Sequence, residues 1–212
     1  TIPGIRTESS GGYGNTNISV RGVPISAGGS KYLQLQEDGL PVLLYGDIAF
    51  ATSDIFLRAD QNVARIEAIR GGSASTLSSN SPAGIINFIS KTGEVEGGGI
   101  STSFGLDYNS FKTDFDYGTP IGDGVAFHVG GFFRQGEGVR DAGYLANKGG
   151  QIKLNLTKRF ENGYARVYYK FLNDRTAAYM PMPIKVTGTN SNPNWGNIEG
   201  FDATTGAQHS PY

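Results

Sequence analysis

From Ile100 onward the chain alternates apolar and polar residues with a period of two, which restricts its fold more than any other feature. Ile100, Thr102, Phe104 and Leu106 oppose Ser101, Ser103, Gly105 and Asp107, and Phe111, Thr113, Phe115 and Tyr117 oppose Lys112, Asp114 and Asp116. Val125, Phe127, Val129 and Phe133 oppose Ala126, His128, Gly130 and Arg134. Ile152, Leu154 and Leu156 oppose Gln151, Lys153, Asn155 and Thr157; Ala165, Val167, Tyr169 and Phe171 oppose Arg166, Tyr168 and Lys170. Five such strands, each with one apolar face and one face bearing charges of both signs, describe a wall with lipid outside and water or protein inside. A strand of about ten residues, rising about 3.3 Å each at a tilt near 40°, spans roughly 25 Å, the height of the outer-membrane apolar band.

Composition fits that wall. No run approaches the roughly 18 to 20 apolar residues of a spanning helix, so a bilayer crossing requires a closed barrel. The 212 residues include 32 Gly, no Cys and only 17% charged residues, a balance that disfavours helix-rich folds and excludes disulfides and cysteine nucleophiles. A net charge of -1 argues against nucleic acid as a partner.

Connections alternate in length. Tight turns are expected at Tyr108-Asn109-Ser110, Gly122-Asp123-Gly124 and Glu161-Asn162-Gly163, with a longer connection over 137–147 and an open stretch over 177–212. Before Gly97 the grammar differs: Tyr32-Leu33-Gln34-Leu35, residues 63–69 and residues 85–89 read as short strands, with Asp38-Gly39 as a turn. Two domains are expected, over 1–96 and 97–212.

Three segments of the first domain carry a resemblance. Ile18-Ser19-Val20-Arg21-Gly22, Gln36-Glu37-Asp38-Gly39-Leu40-Pro41-Val42, and the stretch from Val63 through Arg70-Gly71-Gly72 to Ser81-Pro82-Ala83-Gly84-Ile85-Ile86-Asn87 resemble, in order, the plug motifs of TonB-dependent outer-membrane receptors. Ile2-Pro3-Gly4-Ile5 resembles the segment preceding them. The chain departs from the family pattern at Gly71-Gly72 and Leu77-Ser78-Ser79. The resemblance implies a mixed α+β plug domain followed by antiparallel transmembrane β-barrel strands, about five of an implied 22, in a chain that begins partway into the plug. Size agrees: a plug of about 96 residues has a radius near 16 Å, and enclosing it takes on the order of 20 strands.

The same resemblance implies import of a scarce nutrient across the bacterial outer membrane, driven by TonB through a segment upstream of Thr1. It sets three plug connections, 11–17, 25–31 and 44–56, near the outer face. Their Tyr13, Asn15, Ser30, Lys31, Tyr45 and Asp47 offer stacking and hydrogen bonds to a polar ligand. Tyr179 and Trp195 are further stacking candidates, and solvated or packed loop residues are the alternative for all eight. Arg21 and Arg70 match the plug arginines that hold plug to barrel in the family, as a latch or as a static pair. Loops rich in amide and aromatic groups with few cations favour a carbohydrate slightly over a siderophore or cobalamin.

Catalytic patterns are lacking. His128 and His209 are too far apart for a zinc pair, and Gly71-Gly72-Ser73-Ala74-Ser75 lacks the second glycine of a nucleophile elbow. Asp114 and Asp116 share a strand face and read as lumen solvation rather than a carboxylate pair. No cofactor or metal is expected. The alternatives are a passive porin, to which the plug motifs are foreign, and a soluble β-rich carbohydrate-binding surface module, in which the apolar faces would pack on a second sheet.

Overall fold

The computed structural model describes residues 2–8, 14, 16–23, 32–43, 53–79, 81–138, 142–177, 184–202 and 207–208. The chain divides into two compact units, Thr1–Ala178 and Tyr179–Tyr212.

In the first unit, β1 (Ile5–Glu8) pairs antiparallel with β2 (Asn17–Val20), so the first quoted motif lies on a strand and its arginine turns away from it. β3 (Leu33–Glu37) and β4 (Leu40–Pro41) form a hairpin closed by Asp38 and Gly39, whose φ values of 52° and 83° suit the Asp-Gly pair. β5 (Val63–Arg70) and β6 (Gly84–Ser90) complete a sheet of order β4-β3-β6-β5, with β3 and β6 parallel and the others antiparallel. Val20, Leu33, Leu35, Leu57, Ala83 and Ile86 form its core. On the other face of β3, Gln34 and Gln36 are buried and bond to each other, so this strand carries no simple alternation. The regular elements described in this domain are strands, together with 3-10 turns at Ser53–Ile55 and Gly72–Thr76.

Five strands follow: β7 (Gly97–Gly105), β8 (Ser110–Gly122), β9 (Val125–Gly136), β10 (Asn147–Phe160) and β11 (Gly163–Thr176). They form an antiparallel meander of order β11-β10-β9-β8-β7, as period-two segments joined by short turns should. Four of the five are 12 to 14 residues long, so they outrun the roughly ten that cross the apolar band. Ile100, Phe104, Phe115, Tyr117, Phe133, Ile152, Leu156, Val167, Tyr169 and Phe171 are exposed on one face. Asp114, Asp116, His128, Arg134, Gln151, Asn155 and Thr157 are buried on the other, where the first domain sits. Alternation therefore identified both faces correctly. Phe132 lies buried among these polar groups, with the Lys112 ammonium 4.9 Å from its ring centroid.

In the second unit, β12 (Lys185–Thr189) and β13 (Asn192–Gly196) form an antiparallel hairpin, and β14 (Phe201–Asp202) pairs with β15 (Ala207–Gln208). The open stretch expected over 177–212 thus contains paired strands. Strand-poor residues such as Pro193 and Gly188, which face each other in β12 and β13, hid the pattern.

Candidate functional site

The first domain is held to the polar face of the wall by three tiers of charge. Nearest the crossover into β7, Lys91 Nζ lies 2.7 Å from Asp116 Oδ2, and His128 Nε2 meets the same oxygen at 3.2 Å. Glu94 binds the Arg159 guanidinium, with Nη2 to Oε2 at 3.0 Å. The hydrogen bond from Arg159 holds the Glu94 carboxyl below its ordinary range against a small opposing effect of burial. Gly93 makes this crossover possible: its φ is +76°, and a Cβ there would lie 1.9 Å from the Phe127 carbonyl oxygen.

In the middle tier Glu37, at the end of β3, bridges two lysines of the wall. Its Oε1 lies 2.5 Å from Lys153 Nζ on β10 and its Oε2 2.5 Å from Lys170 Nζ on β11. Lys170 also donates to the Phe56 carbonyl at 2.7 Å. Burial pushes the Glu37 carboxyl up, and the two ammonium groups outweigh it, so it titrates below its ordinary value. Beside this group Gln151 Nε2 donates to Asp60 Oδ2 at 2.8 Å, and Asn62 packs against Gly130, where a Cβ would come within 2.3 Å of its Oδ1.

At the end far from the crossover, Arg58 Nε lies 2.7 Å from Asp174 Oδ2. Arg134 grips the same carboxylate with two bonds of 2.8 and 2.6 Å. The Asp174 side chain is fully buried, and Arg58 also donates through Nη1 to the carbonyls of Asp54, Ile55 and Leu57. A cleft of about 490 Å³ opens here, lined by Gly14, Asp54 and Arg58 of the first domain and by Tyr108, Lys112 and Phe132 of the wall. Gly14 and Asp54 belong to two of the connections expected to meet a ligand.

Of the residues expected to act, Tyr13, Asn15, Ser30, Lys31, Tyr45, Asp47 and Tyr179 lie outside the described residues, as does His209. Trp195 is exposed on β13 opposite Val186. Arg70 donates to the Pro3 carbonyl at 2.6 Å, and Arg21, at φ 50°, donates its backbone N–H to Gly4 at 2.9 Å. Both belong to the first domain, and among the described residues neither meets a wall carboxylate. Glu37, Arg58, Asp60, Lys91 and Glu94, charged groups that reach the wall from the first domain, escaped sequence reasoning. Of their partners, Asp116, Gln151, Lys153 and Lys170 were legible on an inward polar face, but pairing across 25 to 133 positions was not. Among the described residues no cluster of His, Cys, Asp and Glu could hold a metal ion.

A strand-rich domain seated by ion pairs on the polar face of an antiparallel five-stranded wall, with apolar side chains on the other face, is a plug set against part of a β-barrel wall. Residues 1–85 match the TonB-dependent Receptor Plug Domain family, and the chain has the plug-and-wall fold of TonB-dependent outer-membrane receptors. The pyoverdine outer membrane receptor FpvA from Pseudomonas aeruginosa PAO1 is similar at a TM-score of 0.63 and 17% identity over 79% of this chain and 23% of its own. The siderophore receptor PirA from Acinetobacter baumannii gives 0.56 and 18% over 80% of this chain and 27% of its own. The ferric enterobactin receptor PfeA from Pseudomonas aeruginosa gives 0.54 and 19% over 80% and 29%. This chain thus spans about a quarter of the length of the receptors it matches, and at these identities the likeness is one of fold. Among curated proteins nothing matches it.

Proposed function

We propose that the chain is the plug, residues 1–96, and the opening barrel wall, residues 97–212, of an importer that carries a scarce nutrient through the bacterial outer membrane. The observation that carries this reading is the seating of the plug: its contacts to the wall are ion pairs on the lumen face, so cargo passes only if they are broken. Work is needed for that, and TonB, acting through a segment upstream of Thr1, would supply it by strand addition. A passive porin needs no such attachment. The protein is a binder and carrier rather than an enzyme.

The ligand enters at the cleft far from the crossover, between the plug connections and the wall. Tyr13, Asn15, Ser30, Lys31, Tyr45 and Asp47 would receive it; Tyr179 and Trp195 are stacking candidates of the second unit, taken by themselves. Loop composition slightly favours a carbohydrate over a siderophore or cobalamin. A second reading, a ferric chelate, is favoured by the siderophore receptors that share the fold. Calorimetric titration of the intact receptor with oligosaccharides, ferric chelates and cobalamins decides between them, and uptake of the binder with and without TonB tests energised import. Uptake that is independent of TonB would overturn the proposal.

A further inference from the structure

We propose that Lys153 and Lys170 form an anion-binding subsite on the lumen face of the wall, filled in this structure by the plug's own Glu37 carboxylate. The two lysines are direct cross-strand partners in the β10–β11 register and point to the same side. Like charges in that position oppose pairing of the strands, so the wall is built around an anion rather than merely decorated by one. Each ammonium takes one carboxylate oxygen, both at 2.5 Å, which is the geometry of a two-point anion site. Both lysine side chains are largely buried, Lys153 at 11% and Lys170 at 24% exposure, so the site is screened from bulk water.

Space for a replacement adjoins it. A cavity of about 500 Å³ is lined by both lysines together with Phe56, Asn155, Tyr168 and Leu172. The tenant is a side chain at the end of its strand: β6 holds the β3 backbone in register up to Glu37, opposite Phe88, so what can leave the lysines is the Glu37 carboxylate rather than the strand. Swinging this carboxylate away would leave two uncompensated ammonium groups beside an open chamber, a costly state that an incoming anion relieves. The group accepted there is a carboxylate or a phosphate of the passing cargo, such as a sugar acid, a carboxylate-bearing chelate or a phosphorylated nutrient. Only this role in passage rests on the importer reading; the site itself rests on the register and the contacts.

The test uses the intact receptor in detergent and two probes, acetate and inorganic phosphate, against chloride at equal ionic strength. Replacing Glu37 by Ala empties the subsite, and calorimetry should then show acetate binding at least tenfold tighter than in wild type. Phosphate binding more tightly than acetate would identify the phosphorylated source, and the reverse order the carboxylate source. In the variant E37A/K153M/K170M the gain should vanish. If E37A does not fold, E37Q keeps the volume and leaves the lysines uncompensated, and its unfolding temperature should rise in acetate relative to chloride. Equal acetate response in wild type and both Glu37 variants, or an undiminished response in E37A/K153M/K170M, overturns the subsite without touching TonB-dependent uptake.

Discussion

Arg58 and Asp174 are 116 positions apart in the chain and meet at 2.7 Å, joining the plug to the last strand of the five-stranded wall. Arg134 closes on the same carboxylate from β9, so one buried anion serves two cations on different elements. Asp174→Ala would take the shared carboxylate from two buried guanidinium groups, and breaking a buried pair in this way costs about 3–5 kcal/mol. Hydrogen exchange of the intact receptor should show faster opening over residues 53–60 in D174A. Replacing Arg58, Arg134 and Asp174 together by apolar residues of similar volume should recover most of the loss.

Acid should loosen the middle tier. Burial raises the Glu37 carboxyl and the ammonium groups of Lys153 and Lys170 outweigh that, so its folded value lies below the ordinary 4.5. A depressed carboxylate contributes stability that is fully present above the ordinary value and lost as the pH falls through the folded one. Plug attachment, read as exchange protection of β3, should therefore hold at neutral pH and weaken below about pH 4.5. In E37Q, which has no carboxyl to protonate, this step should be missing from the acid limb.

Gly93→Ala should impair assembly more than any exposed glycine substitution. The left-handed backbone alone costs a side chain about 1–3 kcal/mol, and the new Cβ would run into the Phe127 carbonyl. Heat-modifiable migration of the receptor in detergent gels and its unfolding temperature are the readouts. An alanine variant that assembles like wild type would mean that the crossover does not lie on β9 as described.

Trp195 is the chain's single tryptophan and is 66% exposed on its hairpin. The difference in fluorescence between the intact receptor and W195F should be that of a solvated indole, readily quenched by acrylamide. If Trp195 stacks on the cargo, ligand shifts that difference to the blue and W195A weakens binding by about 1–3 kcal/mol. An unchanged difference spectrum at saturating ligand removes Trp195 from the site.

Arg21→Ala and Arg70→Ala test the latch that the resemblance suggests. Raised passive leakage of small solutes through either variant supports it; permeability equal to wild type dismisses it. Arg70 also carries the bond to Pro3, so R70A should in addition loosen the first residues of the plug.

Much of this protein could be read from its residues alone. The period-two segments of β7 to β11 assigned each side chain to lipid or lumen, because a pleated strand alternates faces whatever it pairs with. Asp-Gly at 38–39 and Gly-Asp-Gly at 122–124 announced their turns, because few residues adopt the positive φ found there. Three ordered motifs marked the plug. The strands β12 and β13 stayed hidden, since a short exposed hairpin containing proline and glycine has no buried face to impose alternation. Gln34 and Gln36 escaped as core residues, since their burial depends on each other and on Ser78 and Ser79.

What holds plug to wall was decided by tertiary structure alone. Lys153, Lys170 and Asp116 were visible as inward-facing charges, and the sequence by itself determined that they would need partners; Asp174 lay past the end of the alternation read for its strand. Which of the plug's many acidic and basic groups met them depends on how two sheets built from distant segments are seated. Charge pairing is set by distance and exclusion of water, and neither is a property of residues along a chain.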